Sequence, residues 1–289
     1  MAPLTWFITG GSSGLGHVLA LHVLAAGHQV IATVRSRTKS AKAVEAIETN
    51  GGKIIELDIA KAETIADAAK QAESFYGHID VLVNNAGYSL LGAFEDMIDE
   101  ENYLQFETNF FGPLRLIRAL LPGMRQRQSG TIVNVTSIAA LDGLPSCSMY
   151  AASKFAFEGF SESLARELTP FNISVLIVEP GAFRTNFLAA AQRNQTGLSA
   201  PYVGGPVNAV LDKFDTMEGT QTGDPVKAVA RIFEVVTGDG EAGSLKGKIL
   251  RLPLGPDCVA RIEAKLKNVS HDLESAREVA LSTNCDDIV

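Results

Sequence analysis

The chain has 289 residues, 46% hydrophobic and 20% charged, with a formal net charge of -8. That is ample apolar material for a buried core, and an acidic balance with dispersed Lys and Arg excludes nucleic acid or an anionic membrane as the expected partner. No uncharged apolar run approaches the roughly 18 residues of a spanning helix, so no membrane span is expected.

The first apolar run, Leu4–Thr9, predicts a strand. It starts so early that no leader peptide is expected, which points to the cytoplasm. The sequon Asn134-Val135-Thr136 would then go unused. Cys147, Cys258 and Cys285 are far apart and lack metal-ligand spacing, so reduced thiols and no metal site are expected.

After that strand comes Thr9-Gly10-Gly11-Ser12-Ser13-Gly14-Leu15-Gly16, opening into a helix over Leu15–Ala26. Glycines allow a sharp turn and a close approach of phosphate oxygens to backbone N–H groups. The helix dipole favours an anion there. His17 reads as a structural residue.

A second strand is expected over Gln29–Val34, where a carboxylate about 20 residues past the loop would bind the ribose of NAD. No carboxylate occurs from Val30 to Val44, and Arg35, Ser36, Arg37 and Lys39 follow the strand. Missing acid and clustered cations favour a 2′-phosphate, hence NADP(H) over NAD(H), with solvated loop cations as the alternative.

Further strands are expected at Lys53–Leu57, Val81–Asn84, Thr131–Val135, Ser174–Val178 and Lys248–Leu252. Helices are expected at Ser40–Asn50, Thr64–Tyr76, Gly112–Gln126 and Tyr150–Thr169. Asp58, just after the third strand, is placed either to accept the adenine amino group or to cap the next helix. The alternation implies an α/β fold, a Rossmann-like doubly wound parallel sheet flanked by helices.

Two stretches break this rhythm. Residues 186–224 are rich in Gly, Pro, Ser, Thr and Asn and read as a lid within a catalytic unit spanning 1–255. Over 256–289, Val259, Ile262, Leu266, Val269 and Leu273 form an apolar stripe, which predicts an amphipathic helical extension of the same domain. The stripe packs either on its own subunit or on another.

Tyr150 and Lys154 are four residues apart on a predicted helix, and Ser137 closes a predicted strand. The spacing puts phenol and ammonium on one helix face, where the cation is expected to pull the phenol pKa down toward neutrality. Such a tyrosine can trade a proton with an alcohol or carbonyl.

With these residues in hand, the chain resembles the short-chain dehydrogenase/reductases almost from end to end. The matching landmarks are Thr9-Gly10-x-x-x-Gly14-x-Gly16, Asn84-Asn85-Ala86-Gly87, Asn109, Ser137, Tyr150-x-x-x-Lys154 and Pro180-Gly181 with Thr185. Val30–Arg35 and Thr108–Thr136 look most like the 17β-hydroxysteroid and retinol dehydrogenase branch, and equally like its many microbial relatives of diverse substrate.

The resemblance implies that Gly10, Ser12, Ser13, Gly14, Leu15 and Gly16 wrap the phosphates. It sets Asp58 and Ile59 beside the adenine and Asn85, Ala86 and Gly87 along the adenosine side, while Arg35 is the cation expected at the 2′-phosphate from the residues after strand two. Pro180, Gly181, Phe183 and Thr185 hold the nicotinamide. Ser137 and Tyr150 meet the substrate oxygen, Lys154 bridges the nicotinamide ribose, and Asn109 kinks its helix and holds a water against Lys154.

The expected activity is NADP(H)-dependent interconversion of a hydrophobic ketone or aldehyde and its alcohol. The expected pocket residues are Tyr88, Leu90, Phe94, Leu144, Phe183, Phe187 and Tyr202, and the expected assembly is a homo-oligomer, a dimer first. The alternatives are a non-redox member of the same fold (epimerase, dehydratase or cyclase) and a catalytically silent nucleotide-sensing protein.

Overall fold

Successive residues of the first strand point to opposite sides of a sheet. Trp6 and Ile8 enter one apolar cluster and Phe7 the other, and all three are fully buried. Burial on both faces is the pattern of a parallel sheet covered by helices on each side.

The computed structural model describes residues 2–285, so the last four positions of the predicted extension lie outside the described residues. In chain order the elements are β1 (Thr5–Ile8), α1 (Gly14–Ala25), β2 (Gln29–Val34), α2 (Ala41–Thr49), β3 (Lys53–Glu56), α3 (Ala62–Tyr76), β4 (Val81–Asn84) and β5 (Leu90–Leu91). Then come α4 (Asp99–Phe106), α5 (Gly112–Arg127), β6 (Gly130–Val135), α6 (Ser148–Leu168), β7 (Ile173–Pro180) and β8 (Gln192–Arg193). The chain continues with α7 (Pro206–Met217), α8 (Pro225–Thr237), β9 (Arg251–Leu254) and α9 (Pro256–Leu281).

Seven strands form one parallel sheet in the order β3-β2-β1-β4-β6-β7-β9. The order reverses between β1 and β4, which opens a crevice at the carboxyl ends of these strands. The expected Rossmann-like, doubly wound, single-domain architecture is borne out. One apolar cluster joins the sheet to α1, α2 and α8, and the other joins it to α3, α5 and α6.

The predicted strands at Gln29–Val34 and Val81–Asn84 match to the residue. The last strand falls at Arg251–Leu254 rather than Lys248–Leu252, and α4 and α8 were not among the predicted helices. Within residues 186–224, β8 pairs with β5 and α7 forms a separate helix.

Of the two readings of the C-terminal stripe, packing on its own subunit is corrected. Val259, Leu266, Val269 and Leu273 are all exposed, and Cys258 is the single buried residue of the helix.

Candidate active site

The glycine turn lies at the crevice. Gly10 and Gly14 have φ of +74° and +59°, in the left-handed region where a side chain costs strain. A Cβ on Gly10 would come within 2.9 Å of Asn85 Nδ2, and one on Gly16 would overlap that nitrogen and the Gly10 carbonyl oxygen. Asn85 is therefore a brace for the turn. Its Nδ2 donates to Thr9 O at 2.9 Å, and its own N–H and that of Ala86 donate to Thr9 Oγ1, each at 3.0 Å.

Ser13 precedes α1 without capping it by its side chain, so the first N–H groups of the helix lack that partner. They border a cavity of about 390 Å³ lined by Ser12, Ser13, Gly14 and His17 together with Lys42, Arg184 and Thr185. N–H groups, a helix dipole and nearby cations suit a phosphate. Lys42 and Arg184 had escaped the sequence reading, since each is separated in sequence from the loop it borders. His17 Nδ1 lies 3.1 Å from Gly11 O, in keeping with a structural role.

Arg35 closes β2 as an exposed side chain with no ion pair among the described residues, whereas Arg37 is held by Glu48 at 2.7 Å. Asp58 Oδ1 accepts the N–H of Ala60 at 3.2 Å, a local turn contact, and α3 starts later, at Ala62. Ile59 is buried in the core beneath α5, so its side chain serves packing.

The four candidate catalytic residues come together. Tyr150 and Lys154 face inward from α6 and are 7% and 5% exposed. Ser137 follows β6 and accepts the Ala139 N–H at 3.1 Å, which leaves its hydroxyl proton free to donate. Asn109 sits in a π-helical segment, Glu107–Phe111, that joins α4 to α5 and forms the expected irregularity in the helix. Its carboxamide accepts the Tyr88 N–H at 3.1 Å and donates to Tyr88 O at 2.9 Å and to Ser153 Oγ at 3.2 Å. Ser153 in turn donates to Tyr150 O at 2.7 Å. A Cβ on Gly87 would come within 3.0 Å of Asn109 Oδ1 and 3.6 Å of Lys154 Nζ.

The electrostatics differ from the sequence expectation. Burial pushes the Tyr150 phenol up to about 12, and a hydrogen bond with Ser137 pulls it partly back. Lys154 makes no hydrogen bond to the phenol. Its Nζ donates to Val135 O at 2.9 Å and lies 6.0 Å from the centre of the tyrosine ring. Burial lowers the Lys154 ammonium to about 8. In the protein alone, desolvation outweighs the helical neighbour.

A buried polar ladder sets the depth of α6. Asn84 Nδ2 donates to Asn134 Oδ1 at 2.9 Å, and Asn134 Nδ2 donates to Ser161 Oγ at 2.8 Å. The residue that resembles a glycosylation acceptor is thus a fully buried structural one.

On the other side of the cleft, Pro180 ends β7 and the Gly181 N–H bonds to Leu254 O at 2.8 Å. Asp257, which the sequence reading did not single out, accepts the Ala182 N–H at 2.9 Å and fills the space a Gly181 side chain would need. Phe183 packs against the core and bridges to Gly223. Thr185 lies over the glycine turn, 3.7 Å from a Cβ built on Gly14.

Of the expected pocket residues, Phe187 meets the Tyr150 ring at 5.9 Å between centroids, Leu90 is buried within β5, and Tyr88, Leu144 and Tyr202 are half-buried. Phe94 is 63% exposed on the outer surface. Cys147 is buried and its thiol is pushed up by burial, as expected of an inert cysteine.

Comparison with known proteins bears directly on this arrangement. Residues 5–196 match the short chain dehydrogenase family. The chain is 46% identical over 213 residues to Oxidoreductase claN of Passalora fulva, covering 72% of this chain and 94% of that protein. It is 41% identical over 196 residues to human Retinol dehydrogenase 8, covering 64% and 61%. A short-chain dehydrogenase structure from Streptomyces avermitilis superposes with a TM-score of 0.87 at 37% identity, covering 98% of this chain and 100% of that one. A metagenomic short-chain oxidoreductase in complex with NADP superposes with a TM-score of 0.59 at 30% identity, covering 63% and 83%. With its sheet order, glycine turn and Asn109–Ser137–Tyr150–Lys154 cluster, the chain belongs to the short-chain dehydrogenase family, with a retinol dehydrogenase among its relatives.

Proposed function

We propose that the protein is an NADP(H)-dependent oxidoreductase that interconverts a hydrophobic ketone or aldehyde and its alcohol. The observation that carries the reading is the convergence of Ser137, Tyr150, Lys154 and Asn109 beside a loop that tolerates no side chain at Gly10 or Gly16. The residues fit a nicotinamide dinucleotide. Gly10, Ser12, Ser13, Gly14, Leu15 and Gly16 would hold the phosphates, and Asn85, Ala86 and Gly87 the adenosine side. Asp58 and the backbone of Ile59 would border the adenine. Pro180, Gly181, Phe183 and Thr185 would hold the nicotinamide.

The bound dinucleotide supplies or takes up the hydride. In reduction, negative charge grows on the carbonyl oxygen, and Ser137 and Tyr150 are the donors that stabilise it. Tyr150 then gives that oxygen its proton. Burial keeps the phenol protonated at neutral pH, which is the state a general acid needs. Lys154, anchored at Val135 O, would orient the nicotinamide ribose, and Asn109 fixes α6 through Ser153. Phe187 against the Tyr150 ring supports an apolar substrate, as does the likeness to a retinol dehydrogenase. Arg35, exposed and free of an acidic partner among the described residues, supports NADP(H) over NAD(H).

Steady-state turnover of NADPH with a panel of apolar ketones, followed by cofactor absorbance, tests the activity. Tyr150→Phe should lower kcat about 10²–10⁴-fold, the range of one general acid, and leave NADPH binding intact. Unchanged kcat would reject the acid role. Arg35→Ala should weaken NADPH far more than NADH, and equal losses would reject the phosphate assignment.

A further inference from the structure

The first two turns of α9 are fixed to the catalytic body. Asp257 holds the Ala182 N–H, Cys258 Sγ donates to Glu179 O at 3.0 Å, and Arg261 Nε donates to Asp142 Oδ2 at 2.7 Å. Beyond them the helix projects. Every residue from Glu263 to Leu281 is exposed, with Leu266 at 61% and Leu273 at 56%. A helix with no buried face gains little from propensity alone.

Seven of its apolar residues share one register. Val259, Leu266, Leu273 and Ala280 recur every seven residues, as do Ile262, Val269 and Ala276. That repeat makes the narrow seam of a coiled coil rather than the broader stripe of a helix lying on a globular core. The charges divide along the helix. Arg261, Lys265 and Lys267 outnumber Asp257 and Glu263 in the first half, and Asp272, Glu274 and Glu278 outnumber Arg277 in the second.

We propose that α9 is a self-association surface whose occupant is α9 of a second copy of this chain, packed antiparallel. Antiparallel pairing sets the basic half of each helix on the acidic half of the other, whereas parallel pairing aligns like with like. With the two-fold axis between Lys267 and Asn268, Leu266 lies beside Val269 of the second copy, Ile262 beside its Leu273, and Val259 beside its Ala276. Lys265 of each copy then reaches Asp272 of the other, next to the seam, where charged pairs set orientation. The same register carries Val279 and Leu281 to the root of the opposite helix, where Asp257 and Arg261 hold the two catalytic loops. The inference does not depend on the reaction the protein catalyses.

Sedimentation velocity on the full chain at micromolar concentration reads the assembly directly. The parent should sediment as a dimer or a multiple of it, and Leu266→Asp with Leu273→Asp should halve its mass. Both leucines are exposed, so these changes leave the rest of the chain intact. Equal masses for parent and variant would overturn the proposal. So would a monomeric parent, whether or not it floats with phosphatidylcholine or phosphatidylserine vesicles; flotation would assign the seam to lipid.

Lys265→Asp alone should weaken association, and adding Asp272→Lys should restore it; failure to restore would overturn the antiparallel register. Orientation is read in a Cys285→Ser background by mixing Leu266→Cys chains with Val269→Cys chains under mild oxidation. Disulfides between the two kinds of chain should dominate. Dominance of 266-to-266 bonds would overturn the antiparallel arrangement.

Discussion

At the glycine turn, the fold depends on atoms that are absent; across the cleft, where residues 192–199 meet residues 89–101, it depends on polar atoms that are present. The turn is closed by backbone and by the Asn85 carboxamide, with no space for a Cβ at Gly16. The second wall hangs on side chains. Asn194 Nδ2 is shared among Asp96 O, Thr196 Oγ1 and Gly197 O at 2.7–2.9 Å. Glu101 Oε1 accepts the Gln195 N–H at 2.7 Å, and Asp96 Oδ2 accepts the Ser199 N–H at 2.9 Å. One wall should fail when atoms are added, the other when they are removed.

Gly16→Ala should have the largest effect. The new methyl meets backbone and a braced carboxamide, neither of which can retreat without opening the turn. Overpacking of this kind costs about 1–3 kcal/mol, read as a lower urea midpoint, and NADPH affinity measured by fluorescence should fall more than tenfold. Gly27→Ala sharpens the contrast. Gly27 has φ +82° but nothing within 4 Å, so it should lose about 1 kcal/mol through backbone strain and keep its affinity. If both variants bound NADPH as the parent does, close packing would not define that wall.

Asn194→Ala tests the other wall. Asn194 is 7% exposed and its side chain fills the space beside Gly92, so its removal strands the Gly197 carbonyl and leaves Asp96 O to the Thr196 hydroxyl alone. The expected cost is about 1–3 kcal/mol, concentrated in residues 186–224. Limited proteolysis within 186–224 should quicken and KM for ketone should rise, with NADPH affinity unchanged. A fall in NADPH affinity equal to that of Gly16→Ala would erase the distinction between the walls.

The first wall was legible in the sequence because its signals are local. A glycine cluster between a strand and a helix, and a Tyr and Lys one turn apart, need no distant partner to be read. Strand β4 was read to the residue because its buried apolar run is bounded by turn residues. The second wall was opaque because its order comes from pairs far apart in sequence, such as Asn194 with Asp96 and Gln195 with Glu101. Helix α4 escaped notice because Glu101 and Gln105, two of its inward residues, are polar and buried. Strand β9 includes Pro253, which the expected strand left out; at the sheet edge its missing N–H breaks no ladder. Asn134 could not be recognised as a structural residue without Asn84 and Ser161 beside it. The Tyr150 pKa was misjudged because helical spacing reveals a neighbour but not burial.

The smallest effect concerns Glu179, at the seam of the two walls, just before Pro180 and Gly181. It is 1% exposed, and burial together with the Glu158 charge pushes its carboxyl up to about 7. Arg251 partly offsets this: its Nε lies 3.5 Å from Glu179 Oε1, but the guanidinium is shared with Glu158 and Glu162, each at 2.8 Å. An unfolded glutamate titrates near ~4.3, so between that pH and about 7 the folded chain binds the extra proton. The stabilisation from this group is therefore complete at low pH and is lost as pH rises through that window. The urea midpoint of the parent should fall from pH 5 to pH 8 relative to Glu179→Gln, which carries no such charge. Parallel profiles for the two proteins would mean that Arg251 fully neutralises the seam.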